Sequence, residues 1–224
     1  MPARYHRHPL PVPRFIKTEP LLQIFKKRRL PSDLEQRLRA SLERGAQLFI
    51  FVPKIAMVLP AVQLLRSAFP NVYIEGTSSK DDERADKVTQ FRERQIRMLV
   101  TTTILERGVT IPKSDVFIWD ADAPIFDAAA LVQMAGRAGR SAQDPNGNVY
   151  FSAKEKTSAQ AGAVRQIKEM NRIALKKGYL NRVNGEISHD MDSSRSPAAF
   201  AAYDRAGGLA GTEKFGVFIL RECA

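Results

Sequence analysis

The chain has 224 residues and a mass of 25.1 kDa, enough for one large domain or one domain with appendages. Hydrophobic residues at 44% and charged residues at 26% match ordinary globular usage and exclude wholesale disorder, collagen-like and coiled-coil composition. A net charge of +11 and a pI near 10.0 suit polyanionic partners, nucleic acid first, and equally suit a well-hydrated basic surface, so motifs must decide between the two. The single cysteine, Cys223, excludes an internal disulfide framework and a Cys-rich zinc site and fits a reducing compartment. The longest apolar stretch, 55–65, is interrupted by Pro60 and Gln63 and is too short to span a bilayer. The N-terminus lacks a signal-peptide core, so a cytoplasmic location is expected.

Residues 1–31 are rich in Arg, Lys, His and Pro, ending in KKRRLP, and read as an extended arm. From Pro31 the pattern changes to a helix that Ser32 or Asp33 can cap, with Leu34, Leu38 and Leu42 on one stripe and Gly45 at its end. LFIFVP, 48–53, is a continuous apolar run of the kind expected for a strand covered on both faces. A helix near 56–69, a strand at 72–76, a charged helix over about 81–94 with Val88 and Phe91 inward, and a strand at 96–102 continue the alternation. VFIWDAD (116–122) predicts another strand, 127–138 a helix, NVYFS (148–152) a last strand, and 155–177 a long helix. Strands alternating with helices predict an α/β fold with a mostly parallel sheet and helices on both faces. Beyond Tyr179 the texture turns to Asn, Ser, Gly and Asp, and 181–224 reads as a poorly ordered tail in which only FGVFIL, 215–220, has strand character. No repeat is present.

QMAGRAGR, Gln133–Arg140, carries the strongest chemical signal. On a helix, Gln133, Gly136, Arg137 and Arg140 fall at i, i+3, i+4 and i+7 and share one face. Arginine suits phosphate because its planar fork stays charged and meets two oxygens at once. Upstream, LVTTTILERGVTIP, 99–112, sets a Thr triplet at a strand end and Gly108 in the turn after it, where open α/β sheets bind ligands. Threonines simply favouring β geometry would explain Thr101 to Thr103 but not the ERG turn.

LFIFVP, TTTILERGVTIP and QMAGRAGR, in that order and spacing, resemble motifs IV, V and VI of superfamily 2 helicases, which lie in the second RecA-like domain. TTTILERGVT, then VFIWDADAP and AALVQMAGRAGRS, are most similar to the ComFA-type competence proteins, bacterial ATP-driven DNA translocases of transformation. The resemblance covers about residues 4–180, with RYHRHPLPVP similar to the segment joining the two RecA-like domains. It implies a RecA-like three-layer sandwich lacking its own P-loop, with residues 1–30 as interdomain segment and 31–180 as the helicase C-terminal domain. It also implies ATP and Mg²⁺ held mainly by a first RecA-like domain in cis or trans, single-stranded DNA as partner, and other competence proteins nearby at the inner face of the membrane. By position, Arg140 resembles the arginine finger, with Arg137 beside it and Gln133 in support; such a finger is worth about 10³ to 10⁵ in rate. Gly108, Thr110 and Gly136 resemble nucleotide-contacting positions, although many relatives carry an acid where Thr110 stands. Glu106 and Arg107 fit a relay of domain closure or a local surface ion pair. Lys54, Thr77, Ser78, Thr101 and Thr102 resemble the places where relatives hold a sugar-phosphate backbone, contacts that suit a translocase because they ignore sequence.

GxxxxGK[ST], the loop that cradles phosphates, occurs nowhere, and neither does a DExD/H motif, so the chain alone is expected not to turn over ATP. Asp120 and Asp122 in WDADAP stand where relatives have a structural segment, and His6 and His8 read as solvent-exposed, so no metal site is expected. A PriA-type replication-restart helicase resembles this chain in its DAD and QMAGRAGR runs but carries cysteine-rich zinc binding. A non-catalytic DNA-binding or assembly module is the reading from a different class.

Overall fold

In a computed structural model, the residues described are 6–102, 111–142 and 144–180. Among them six strands form one sheet in the order β1-β6-β5-β2-β4-β3, with every pair parallel. The strands are β1 (Arg14–Lys17), β2 (Gln47–Phe51), β3 (Ile74–Thr77), β4 (Met98–Thr101), β5 (Ser114–Trp119) and β6 (Val149–Ala153). The helices are α1 (Leu21–Lys27), α2 (Ser32–Glu43), α3 (Val58–Ala68, preceded by a 3₁₀ turn at Ile55–Met57), α4 (Arg84–Arg92), α5 (Ala128–Ala135) and α6 (Ser158–Lys176).

Successive strand side chains point to opposite faces, and both faces are covered, which is why the strands are apolar throughout. Leu48, Ile50, Met98, Val100, Phe117 and Trp119 join the core beneath α1, α2 and α3. Their neighbours Phe49, Phe51, Leu99, Val116 and Ile118 join the core beneath α4, α5 and α6, where the Phe91 ring meets Phe49 edge-on at 4.8 Å. Each such fully buried side chain contributes about 1.5–3 kcal/mol. The expected α/β sandwich is therefore what the chain forms, and the helix over 32–43 buries Leu34 and Leu38 as its stripe requires.

Some local details differ. Neither Ser32 nor Asp33 caps α2: Pro31 takes the N-cap position and no side chain bonds there, because proline's fixed φ already sets the entry angle. Gly45 does end the helix, at φ +80°. The Pro-rich start is not uniformly extended. Arg14–Lys17 adds a strand to the sheet edge beside β6, and Leu21–Lys27 forms α1, which buries Leu21 and Ile24. Upstream, Arg7 donates to the Gly178 carbonyl at the end of α6 (2.7 Å), and Leu10 exchanges two hydrogen bonds with Asn171. His6 is buried and His8 half-buried, not solvent-exposed as expected, with His8 N–H donating to His6 Nδ1. The expected strand at 215–220 and the tail of 181–224 lie outside the described residues. No helix among the described residues is long and apolar enough to cross a membrane.

Candidate nucleotide and nucleic-acid sites

Motif VI does not continue as a helix. Asp127 caps α5 by accepting from Ala130 N–H at 2.7 Å, but α5 ends at Ala135. Gly136 still bonds back four residues, Arg137 and Ala138 bond back three, and the Gly139 N–H leaves for the Ser114 carbonyl of β5 at 3.1 Å. Gly139 sits at φ +58°, where an added Cβ would run into the backbone of Pro145 and Gly147, so only glycine permits this turn. The even spacing that put Gln133, Gly136, Arg137 and Arg140 on one helical face is thus broken before Arg140. The two arginines are brought together another way: Arg140 Nε folds back onto the Gly136 carbonyl at 3.1 Å, and the Ser114 hydroxyl donates to the Arg137 carbonyl at 3.0 Å. Gln133 lies exposed on α5 a turn away.

Burial, and then the nearby charge of Arg140, hold Arg137 below its usual arginine range. Two guanidiniums in mutual repulsion are stabilised by any multivalent anion placed against them, so the residues fit a nucleotide's phosphates. Gly108, Thr110, Glu106 and Arg107 lie outside the described residues.

Sequence reasoning missed the support beneath this turn. Asp115, fully buried on β5, accepts from Arg44 Nη2 at 2.6 Å, from Asn148 N–H at 2.7 Å and from Asn148 Nδ2 at 3.2 Å. Arg44, at the end of α2, also donates to Asp144 at 2.6 Å, and Asp144 bridges to Ser141, the residue after Arg140. Despite the cost of burial, the hydrogen bonds and charges of Asp144 and Asp115 raise the Arg44 pKa above its ordinary value. The available signal was a carboxylate directly before the apolar run VFIW, at a strand start.

The other candidates gather at the opposite end of the sheet. Thr101 pairs in register with Phe51 on one side and Thr77 on the other, so the last residues of β2, β4 and β3 form one row about 10 Å wide. Lys54 follows β2 and is exposed; Thr77 and Thr101 are buried beneath the row, and Ser78 and Thr102 are at the margin, 9% and 8% exposed. The structure brings these five together at the carboxyl edge while motif VI sits at the amino edge. The carboxyl-edge rule for ligands therefore applies to the threonines and not to the arginines.

Asp120 and Asp122 also end at the carboxyl edge, and both serve backbone: Asp120 accepts from Leu21 N–H at the start of α1 (2.9 Å), and Asp122 from Glu155 N–H (3.3 Å). Burial chiefly, and the neighbouring Asp122, raise Asp120 to about 6 even against the Leu21 hydrogen bond. The folded pKa lies above the unfolded one, so folding takes up a proton between roughly pH 4 and 6 and stability from this group falls as pH rises through that window. Asp120→Asn keeps an acceptor for Leu21 and removes the charge. It should raise the melting temperature at pH 7.5 and change it little at pH 4, as thermal melts at the two pH values would show; a stabilisation equal at both would contradict the buried-charge account.

An all-parallel sheet covered by helices on both faces, in a sequence with motif VI and no phosphate loop, is of the RecA-like class found in superfamily 2 helicases. Over residues 29–142 the chain matches the helicase conserved C-terminal domain, and it belongs to that family, in its ComFA type. It is 37% identical to the competence protein ComFA of Bacillus subtilis over 79% of this chain and 38% of that protein. It is 33% identical to ComFA of Streptococcus pneumoniae over 78% of this chain and 40% of that protein. The chain thus spans about two fifths of the length of these relatives. Among solved structures it resembles the Mycobacterium smegmatis helicase Lhr bound to single-stranded DNA and AMP-PNP, with a TM-score of 0.55 and 17% identity over 73% of this chain and 22% of that one, a likeness of fold.

Proposed function

We propose that this chain is the second RecA-like half of an ATP-dependent, ComFA-like DNA translocase, completing an ATPase with a first domain that carries the phosphate loop and magnesium-binding acids. Residues 1–30 join the halves in this reading, 31–180 form the motor half and 181–224 are an appendage. The observation that carries it is the glycine turn at 136–139, which aims backbone constraints from Ser114 and Gly147 at holding two arginines side by side. When bound between the domains, nucleotide supplies the phosphoanhydride whose cleavage drives movement. Arg140 meets charge developing on the terminal phosphate, Arg137 neutralises a neighbouring oxygen, Gln133 supports them, and Gly136, Gly108 and Thr110 line the approach. At the far edge, Lys54, Ser78 and Thr102 hold the phosphates and sugars of a single strand above the Thr77 and Thr101 row. The setting is the cytoplasmic side of DNA uptake, beside other competence proteins.

The test is phosphate release. The purified chain alone should hydrolyse no ATP above background, and adding a separately produced ComFA first domain should restore turnover that single-stranded DNA stimulates. Turnover by the isolated chain, or a first domain indifferent to its addition, would refute the proposal.

A further inference from the structure

The KKRR run at 26–29 is not used by any site above, yet the fold sets it at the same edge as Lys54. The start of α1 is fixed one residue past β5 by the Leu21 bond to Asp120. α1 packs on α3, whose first turn leads directly from Lys54, and its seven residues rise only about 10 Å. Lys26, Arg28 and Arg29 are exposed. No hydrogen bond or ion pair engages their side chains among the described residues, while the Lys27 ammonium is taken up by Glu19. Arg28 holds the left-handed C-cap of α1 at φ 50°, a place glycine favours and an arginine occupies only at a cost. On the packed pair α1 and α3 and the 3₁₀ turn after Lys54, three large apolar side chains stand in water: Leu22 at 61%, Leu59 at 64% and Ile55 at 40% exposed.

We infer that α1 and the residues after it form an accessory grip for single-stranded nucleic acid, continuing the path past β2. Lys26, Arg28 and Arg29 take successive phosphates, and Leu22, Ile55 and Leu59 lie against base faces. Cations and aliphatic side chains in alternation match a strand whose phosphates are charged and whose unstacked bases are apolar. An anionic membrane would meet the same cations, but α1 offers a single exposed apolar residue and is too short to lie in an interface. This inference rests on the reading that nucleic acid crosses the carboxyl edge.

The experiment uses the full chain and a labelled single-stranded oligothymidylate of about 20 nucleotides, with affinity measured by anisotropy across a salt series. Lys26→Ala, Arg28→Ala and Arg29→Ala together should weaken binding between about ten- and a hundredfold at about 0.1 M salt and flatten the log–log salt slope by about 2, at ~0.7 per phosphate contact. Leu22→Ser with Leu59→Ser should weaken binding severalfold and leave the slope unchanged. Circular dichroism melts confirm that the variants fold. If Lys54→Ala weakens binding but the triple variant does not, the carboxyl-edge reading stands and the accessory grip is wrong. If the unaltered chain binds no oligonucleotide, both fall. Loss of binding to phosphatidylglycerol vesicles in the triple variant, with oligonucleotide affinity intact, would assign the cluster to membrane and overturn the inference.

Discussion

Arg140→Ala should lower the ATP turnover of the reassembled two-domain enzyme by about 10³-fold or more, with little change in the melting temperature of the chain. The expected asymmetry follows from what the side chain does at rest. Among the described residues its side chain donates to the Gly136 carbonyl at 3.1 Å from a half-buried position, and losing such a bond costs about 0.5–1.5 kcal/mol. Its guanidinium lies near that of Arg137, whose pKa is lowered by burial first and then by the Arg140 charge. Removing it costs the resting chain little and withdraws stabilisation when phosphate charge arrives, which is the mark of an interaction made in the transition state. Arg140→Lys should recover part of the rate, since a point charge keeps the attraction but not the planar fork. Phosphate-release kinetics under saturating ATP would show the effect in kcat; a loss confined to KM would identify Arg140 as a ground-state binding residue and remove it from the finger role.

How much of this was readable in advance divides along a physical line. β2, β4 and β5 were legible because both their faces are covered, so LFIFV, MLV and VFIW are apolar without interruption and need no partner to be recognised. β1 was not: RFIK is four residues between prolines, pairs on one side only, and owes its conformation to β6, 136 residues away in register. α1 hid behind Pro20, which reads as a breaker but stands as the N-cap residue. Motif VI was found by residue type, yet its geometry was misjudged because a helical period cannot report its own end. What ends α5 is the Ser114 carbonyl claiming the Gly139 N–H and a left-handed glycine packed on Gly147, contacts that no local spacing encodes. Asp115 escaped for a related reason: its partners Arg44 and Asn148 are 71 and 33 residues away.

Asp115→Ala should be the most damaging single change among the residues that support the site. It would leave the Asn148 N–H without its acceptor and strip one of two carboxylates from the Arg44 guanidinium. Breaking a buried ion pair by removing one partner costs about 3–5 kcal/mol. Arg44 is 30% exposed and keeps Asp144, so the lower end, about 3 kcal/mol, applies, a fall of roughly 6–12 °C in melting temperature for a domain of this size. Asp115→Asn should lose less, because the amide oxygen still accepts from Asn148. Arg44→Ala leaves the Asp115 charge buried without its cation and should also destabilise; the double variant should fall short of the sum by about 1–3 kcal/mol, the coupling of a shared network. The damage should also be local. Asp144 ties Arg44 to Ser141, so amide exchange at 139–141 should quicken in Asp115→Ala under conditions where β2 and β4 remain protected. Ordinary exchange protection of those amides in a variant whose melting temperature has dropped would mean that Asp115 holds the sheet and not the arginine-bearing turn, and that the turn is positioned by Ser114 and the glycines alone.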